Sequence, residues 1–156
     1  MNEAEWLVVD PERRLKAPAL VELLHLWQVA CGDRQMPARS DFSPAMLREH
    51  LGWIVLVEVE PTPQRFRYRL VGAELTDRIG RDSSGQYLDE LYGDDVYGTA
   101  VSGYRAAIAA RQPVRAHGRF LQAEKGHLRF ESLDMPLSND GRTVSMIMSR
   151  DVILRS

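Results

Sequence analysis

The sequence predicts an α+β protein with a mainly antiparallel sheet and helices across one face. Three observations carry this. Apolar residues from Leu15 to about Cys31 recur at helical spacing, residues 53–72 alternate as a hairpin, and the chain beyond Pro113 reads as three more strands. Short helical turns and a longer helix fill the middle. Strands and helices are therefore segregated, as in α+β architecture, and do not alternate as βαβ units do.

Residues 1–14 show no strong periodicity and end in the charged run Glu12-Arg13-Arg14, so they read as a flexible arm. Leu20, Leu24, Trp27 and Cys31 then follow at spacings of four, three and four, sharing one helical face, and Gly32 offers a stop. Leu23 and Leu26 widen that stripe. Either a second surface covers them, such as another subunit, or the helix lies deep against its own domain. Residues 33–42 form a loop containing Pro37. Ser43-Pro44 then supplies an N-cap and a first-turn proline for a short helix to about His50.

In the hairpin, Val55, Val57 and Val59 alternate with Ile54, Leu56, Glu58 and Glu60, and Phe66, Tyr68 and Leu70 alternate with Arg65, Arg67 and Arg69. A loop of Pro61-Thr62-Pro63-Gln64 pairs Val59 with Phe66, Val57 with Tyr68 and Val55 with Leu70. It also sets Glu60 against Arg65, Glu58 against Arg67 and Leu56 against Arg69. The arginines thus read as a solvated, charge-paired face and not as an anion site.

Residues 73–93 are short helical turns broken by Gly80, Gly85 and Gly93. Asp94 or Asp95 caps a longer helix to about Arg111, with Tyr97, Val101, Tyr104 and Ile108 as its buried stripe. Strands from Val114 to Gln122 and from His127 to Pro136 flank a Glu-Lys-Gly turn. Ser138-Asn139-Asp140-Gly141 marks another, and the last strand runs from about Arg142 to Leu154. Placing Phe120 opposite Leu128 puts Val114, Ala116, Gly118, Phe130 and Ser132 on one face and His117 across from Glu131.

Length and charge exclude several classes. With 156 residues there is room for one domain, and 44% hydrophobic with 27% charged residues is the composition of a globular chain. Twenty basic against 22 acidic residues give a net charge of −2, without the basic footprint of a nucleic-acid binder. The single cysteine, Cys31, points to the cytoplasm. An acidic start and the lack of an apolar run near ~18 residues argue against a signal peptide or membrane span.

Catalytic motifs are sparse. His25, His50, His117 and His127 are scattered; the last two sit roughly 13 Å apart along the hairpin, too far to share a metal. Cys31 on an apolar helix face is inert, and neither a Gly-x-Ser-x-Gly elbow nor a phosphate loop is present. Arg111-Gln-Pro-Val-Arg115 has the spacing of half a cyclic-dinucleotide motif, whose other half is missing. A small enzyme would need a buried acid or base, and Asp134 beside Ser132 is the one pair that could supply it.

The segment Arg65-Phe66-Arg67-Tyr68-Arg69-Leu70-Val71-Gly72-Ala73-Glu74-Leu75 resembles the "FRYRLVGTxL" core of a single-domain PAS family common in alphaproteobacteria. Gly80-Arg81-Asp82-Ser83-Ser84-Gly85-Gln86-Tyr87-Leu88-Asp89-Glu90 is similar to its "GRDLTGRYLDE". Leu26-Trp27 with Pro37-Ala38-Arg39-Ser40-Asp41-Phe42 resembles its entry, and Leu133-Asp134-Met135-Pro136-Leu137-Ser138-Asn139-Asp140-Gly141 its last turn. The matches run in order over residues 20–150.

The resemblance implies a PAS-like five-stranded antiparallel sheet with helices on one face, formed by residues 53–154, behind an N-terminal helical extension at 15–52. It implies a non-catalytic sensory module in the cytoplasm that binds a small molecule or signalling partner and acts alone, there being no room for an output domain. A filled, homodimerising adaptor without ligand is the alternative. No cofactor is expected: residues 94–111 hold no haem-ligating histidine, and neither a flavin photoadduct nor a covalent chromophore finds its cysteine. Ligand-binding candidates are Tyr68, Tyr87, Tyr104 and Ser132, with Ser145 or Arg119 depending on register; residue by residue, packing as core aromatics with satisfied hydroxyls is the favoured reading of the tyrosines. A homodimer through Leu23 and Leu26 of the N-terminal helix is expected.

Overall fold

Six antiparallel strands form one sheet in the order β1-β4-β5-β6-β2-β3. They are β1 (Leu7–Asp10), β2 (Ile54–Pro61), β3 (Gln64–Val71), β4 (Val114–Arg119), β5 (Arg129–Leu137) and β6 (Met146–Leu154). The helices are α1 (Pro18–Cys31), α2 (Ala73–Ile79), α3 (Leu88–Leu91), α4 (Asp94–Ala100) and α5 (Ser102–Ala110). The computed structural model describes residues 7–10, 12–79, 82–119 and 129–154. The expectations for Gly80-Arg81, for Phe120 opposite Leu128 and for the Glu-Lys-Gly turn fall outside these.

Five strands were expected and six are found among the described residues. The extra one is β1, which lies within the expected arm and pairs with β4, Leu7 against Gly118 and Asp10 against Arg115. Four residues are too few to declare a period, and their pairing is with a strand more than a hundred positions away.

The hairpin register holds from the turn to Tyr68: Val59 pairs with Phe66, Glu58 with Arg67 and Val57 with Tyr68. Beyond it the register shifts, so that Leu56 faces Leu70 and Val55 faces Val71, leaving Arg69 as the extra residue of a bulge. Leu70 consequently turns outward and is exposed. In β4 and β5 the expected register is found, with Ala116 against Ser132 and His117 against Glu131.

Alternation divides the sheet into two faces. Val57, Phe66, Tyr68, Val114, Ala116, Ser132, Asp134, Ile147 and Ser149 point to an inner face, where α5 packs closely enough that a Cβ on Gly103 would lie 2.2 Å from Asp134 Oδ2. Leu133, Met135, Leu137 and Met148 point to the outer face, where α1 contacts β5 and β6. Both faces are thus covered, the second by the N-terminal helix together with the segment after it, whose His50 contacts Arg150 of β6. The Trp27 indole N–H fixes α1 by donating to the Pro136 carbonyl at 3.0 Å.

Two helical expectations are corrected. The long helix is two, α4 and α5, because Val101 leaves helical geometry between them (φ −100°, ψ 3°) while its side chain is fully buried. Residues 44–50 are turns, although the Ser43 hydroxyl does accept the Met46 N–H at 3.2 Å, as a cap would. The face of α1 also differs. Leu20, Leu23, Trp27 and Cys31 are its buried residues, while Leu24 and Leu26 are half-buried. Leu23, assigned to a dimer interface, is 0% exposed and belongs to the domain's own core. A spacing of three, four and four fits a helix as well as four, three and four, and packing on the sheet selected the first.

Candidate functional site

The inner face gathers a polar cluster from five elements. Asp134 and Ser132 come from β5, and Ser149 and Asp151 from β6; Asp134 pairs with Ser149 and Ser132 with Asp151 across the ladder. Tyr68 enters from β3, Tyr104 from α5 and Tyr92 from the end of α3. The Ser149 hydroxyl donates to Asp134 Oδ1 at 2.6 Å, and the Tyr68 and Tyr92 hydroxyls lie 3.4 Å apart. The Tyr104 ring packs tilted against Phe66, with centroids 5.7 Å apart.

Burial dominates the electrostatics here. It pushes the Asp134 carboxyl up to about 7 against the Ser149 hydrogen bond, with Asp151 adding like-charge repulsion. Burial alone raises Asp151 to about 6. Burial, and then the neighbouring Tyr92, raises the Tyr68 phenol well above its usual value; Tyr104 is raised by burial, then by Tyr68 and Asp134. Asp151 has no side-chain hydrogen-bond partner among the described residues. It, Tyr68, Tyr92 and Tyr104 remain partly accessible although they lie deep among other groups. Asp134 is different: at 4% exposed it is closed under Gly103 and held by Ser149, which leaves no cleft at the acid.

Of the ligand residues expected from the sequence, Tyr68, Tyr104 and Ser132 are brought together. Three are not. Tyr87 lies on the outer side of β3, its hydroxyl donating to Glu60 at 3.0 Å and its ring under the Arg65 guanidinium at 3.7 Å. That contact also rearranges the expected ion pairs: Arg67 keeps Glu58, whereas Arg65 leaves Glu60 for Asp89 at 2.7 Å. Arg119 falls on the outer face with Arg115 and His117, since strand alternation carries odd positions of β4 away from the cluster. Ser145 sits at the far end of the inner face and is tied to Leu137, its amide donating to that carbonyl at 3.0 Å.

Ser149, Asp151 and Tyr92 were missed. The first two became assignable only once the register of β6 was known, and Tyr92 lies on a turn with no period. Among the described residues no three His, Cys, Asp or Glu side chains are placed to hold a metal, and no helix is long and apolar enough to cross a membrane. Cys31 is buried on α1, across the sheet from the cluster, and burial pushes its thiol up.

Two hollows open elsewhere. One of about 390 Å³ lies on the outer face at Arg115, His117 and Arg129. The other, about 490 Å³, lies where β3 meets α2, at Leu51, Leu70, Ala73 and Thr76. Neither is lined by the tyrosine–carboxylate cluster. Outer-face polarity centres on Glu131, which is 0% exposed and expected to face His117 as its partner. It instead takes Arg115 Nε at 2.6 Å and the backbone N–H groups of Lys16 and Ala17 at 2.9 and 2.8 Å.

Comparison with known proteins agrees with this architecture. No curated protein matches the chain. Among solved structures, it is similar to one described as the structure of an RNA-binding light-oxygen-voltage receptor, with a TM-score of 0.50 and 16% sequence identity. That likeness covers 95% of this chain and 38% of the receptor, so the chain spans well under half of it. It speaks for the fold alone. Residues 15–149 match the PAS domain family, which takes in α1, the inner-face cluster except Asp151, and all of the sheet except β1 and the end of β6; the chain belongs to the PAS domain family.

Proposed function

We propose that this PAS domain is a non-catalytic sensory module that holds a small molecule against the inner face, through Tyr68, Tyr92, Tyr104, Ser132 and Asp151. The observation that carries the reading is Asp151, a deep, partly accessible carboxyl without a hydrogen-bond partner among the described residues, ringed by phenols. A ligand donor would supply that hydrogen bond, and one made to a charged group is worth about 1.5–3 kcal/mol. The cluster offers hydrogen bonds and aromatic surface, so reversible binding without a covalent chromophore fits it. The adaptor reading draws support from the absence of these residues from both hollows.

Native mass spectrometry of the protein purified from its own host separates the two readings. A co-purifying mass that is lost in Asp151→Asn and Tyr104→Phe supports sensing. A ligand-free wild type, or a ligand that both variants retain, makes the adaptor the better reading.

The proposal includes a homodimer through α1, with its contact surface moved. Val21 and Val29 are 50% and 60% exposed and flank half-buried Leu26 on the helix side away from the sheet. Burying each valine is worth about 1.5–3 kcal/mol. The variant Val21→Glu, Val29→Glu is expected to be monomeric by light scattering with an unchanged circular-dichroism spectrum and a somewhat lower melting temperature, because dimerisation no longer adds to stability. A wild-type monomer at tens of micromolar, or a variant that stays dimeric, removes the assignment.

A further inference from the structure

The outer-face hollow of about 390 Å³ is walled by Arg14, Lys16, Arg115, His117, Arg129 and Leu154, and no acidic side chain lines it among the described residues. It lies where the turn leading into α1 crosses the ends of β4, β5 and β6. Asp10 and Glu131 stand behind it: Glu131 takes Arg115 Nε, while Asp10 takes Arg115 Nη1 and Arg14 Nε. Neither carboxylate is given the side chain of Lys16 or Arg129, both of which are exposed. Arg115, 6% exposed, is thereby held rigidly, with Nη2 the part of its fork that neither acid occupies.

We infer that this hollow is an anion site, separate from the inner face, for a small molecule bearing a phosphate or carboxylate group, gripped by Lys16, Arg115 and Arg129. A cluster serving stability alone pairs its cations with acids, as Arg115 is paired here. Two additional cations converging on a recess instead create a positive potential that attracts oxyanions. The guanidinium forks give such a group paired, charge-assisted hydrogen bonds, and Leu154 offers an apolar contact for the rest of the molecule. His117 registers the field. Burial lowers its pKa first, and Arg115 and Lys16 lower it further, while Asp10 and Glu131 pull the other way. A bound anion opposes the two cations and so raises the His117 pKa. It also ties the turn at residues 12–17, and with it α1, to the sheet.

Calorimetric titration with inorganic phosphate, pyrophosphate and citrate at low salt, joined to NMR titration of the His117 ring, tests the site. At least one probe is expected to bind and raise the His117 pKa. The variant Lys16→Gln, Arg129→Gln should weaken it about tenfold or more, a loss of roughly 1.4 kcal/mol per decade, without changing the melting temperature of the free protein. Binding of phosphate and pyrophosphate without citrate assigns a phosphoryl ligand, and the reverse a carboxylate. No binding at millimolar probe, or equal binding by the variant, overturns the site. Tyr104→Phe should leave anion binding unchanged, so failure of the inner-face reading is distinguishable from failure of this one.

Discussion

Glu131→Leu is expected to destabilise the domain by about 3–5 kcal/mol, the range for removing one partner of a buried ion pair. Glu131 is wholly buried and accepts from Arg115 and from the backbone of Lys16 and Ala17. Leucine would leave two backbone donors unpaired and Arg115 with Asp10 alone. At about 2–4 °C per kcal/mol for a domain of this size, the melting temperature should fall by roughly 10 °C. A double variant, Glu131→Leu with Arg115→Leu, should recover part of the loss, because an apolar pair often substitutes for a buried ionic one. Urea unfolding of the four species gives the coupling directly. A single-variant loss below about 1 kcal/mol would show that the network does not anchor the start of α1.

The second large effect depends on pH. In the folded chain Asp134 titrates at about 7, against 3.8 for the free group. A raised carboxyl stabilises the fold fully below pH 3.8, and its contribution is lost as pH climbs through about 7. Asp151, raised to about 6, acts in the same direction. His50 and His117, whose values are lowered, oppose this slope near and below their free value of 6.5. Asp10, Asp140 and Glu131, also lowered, do so only in more acid solution. Comparing wild type with Asp134→Asn removes these shared terms. Asparagine keeps an acceptor for Ser149 and never ionises, so the variant should match wild type near pH 4 and exceed it at pH 8. The gain should be on the order of 3–4 kcal/mol, at 1.36 kcal/mol per pKa unit. Equal differences at the two pH values in urea melts would show that Asp134 is not a proton-holding group.

Much of the fold was legible from local pattern. Valines alternating with Ile54, Leu56, Glu58 and Glu60, arginines alternating with aromatics in 65–69, and an intervening proline turn leave few registers, and Val59 against Phe66 is one that keeps Val57, Val59, Phe66 and Tyr68 on one face. The bulge at Arg69 was not legible, because the sequence alternates straight through it. The inner cluster was half legible: Tyr68 and Ser132 follow from hairpin alternation and Tyr104 from its helical stripe. Tyr87 looked equivalent by residue type, yet residues 85–87 pair with the free edge of β3 and deliver it to Glu60 and Arg65.

Periodicity and turn chemistry were enough for the strand pairs β2–β3 and β4–β5, the existence of α1 and the α+β class, since each depends on residues close in sequence. Long-range packing decided everything that joins distant segments. It recruited Leu7–Asp10 as an edge strand, and it turned α1 so that Leu23 entered the core and Val21 and Val29 faced outward. It also brought Asp151 of β6 opposite Ser132 of β5. A helix with apolar residues at 20, 23, 24, 26, 27 and 31 has several nearly equivalent faces, and a four-residue strand has none of its own. Which face is buried, and which strand is joined, is settled by the surface each one meets, because the free energy of burial belongs to the pair of surfaces in contact.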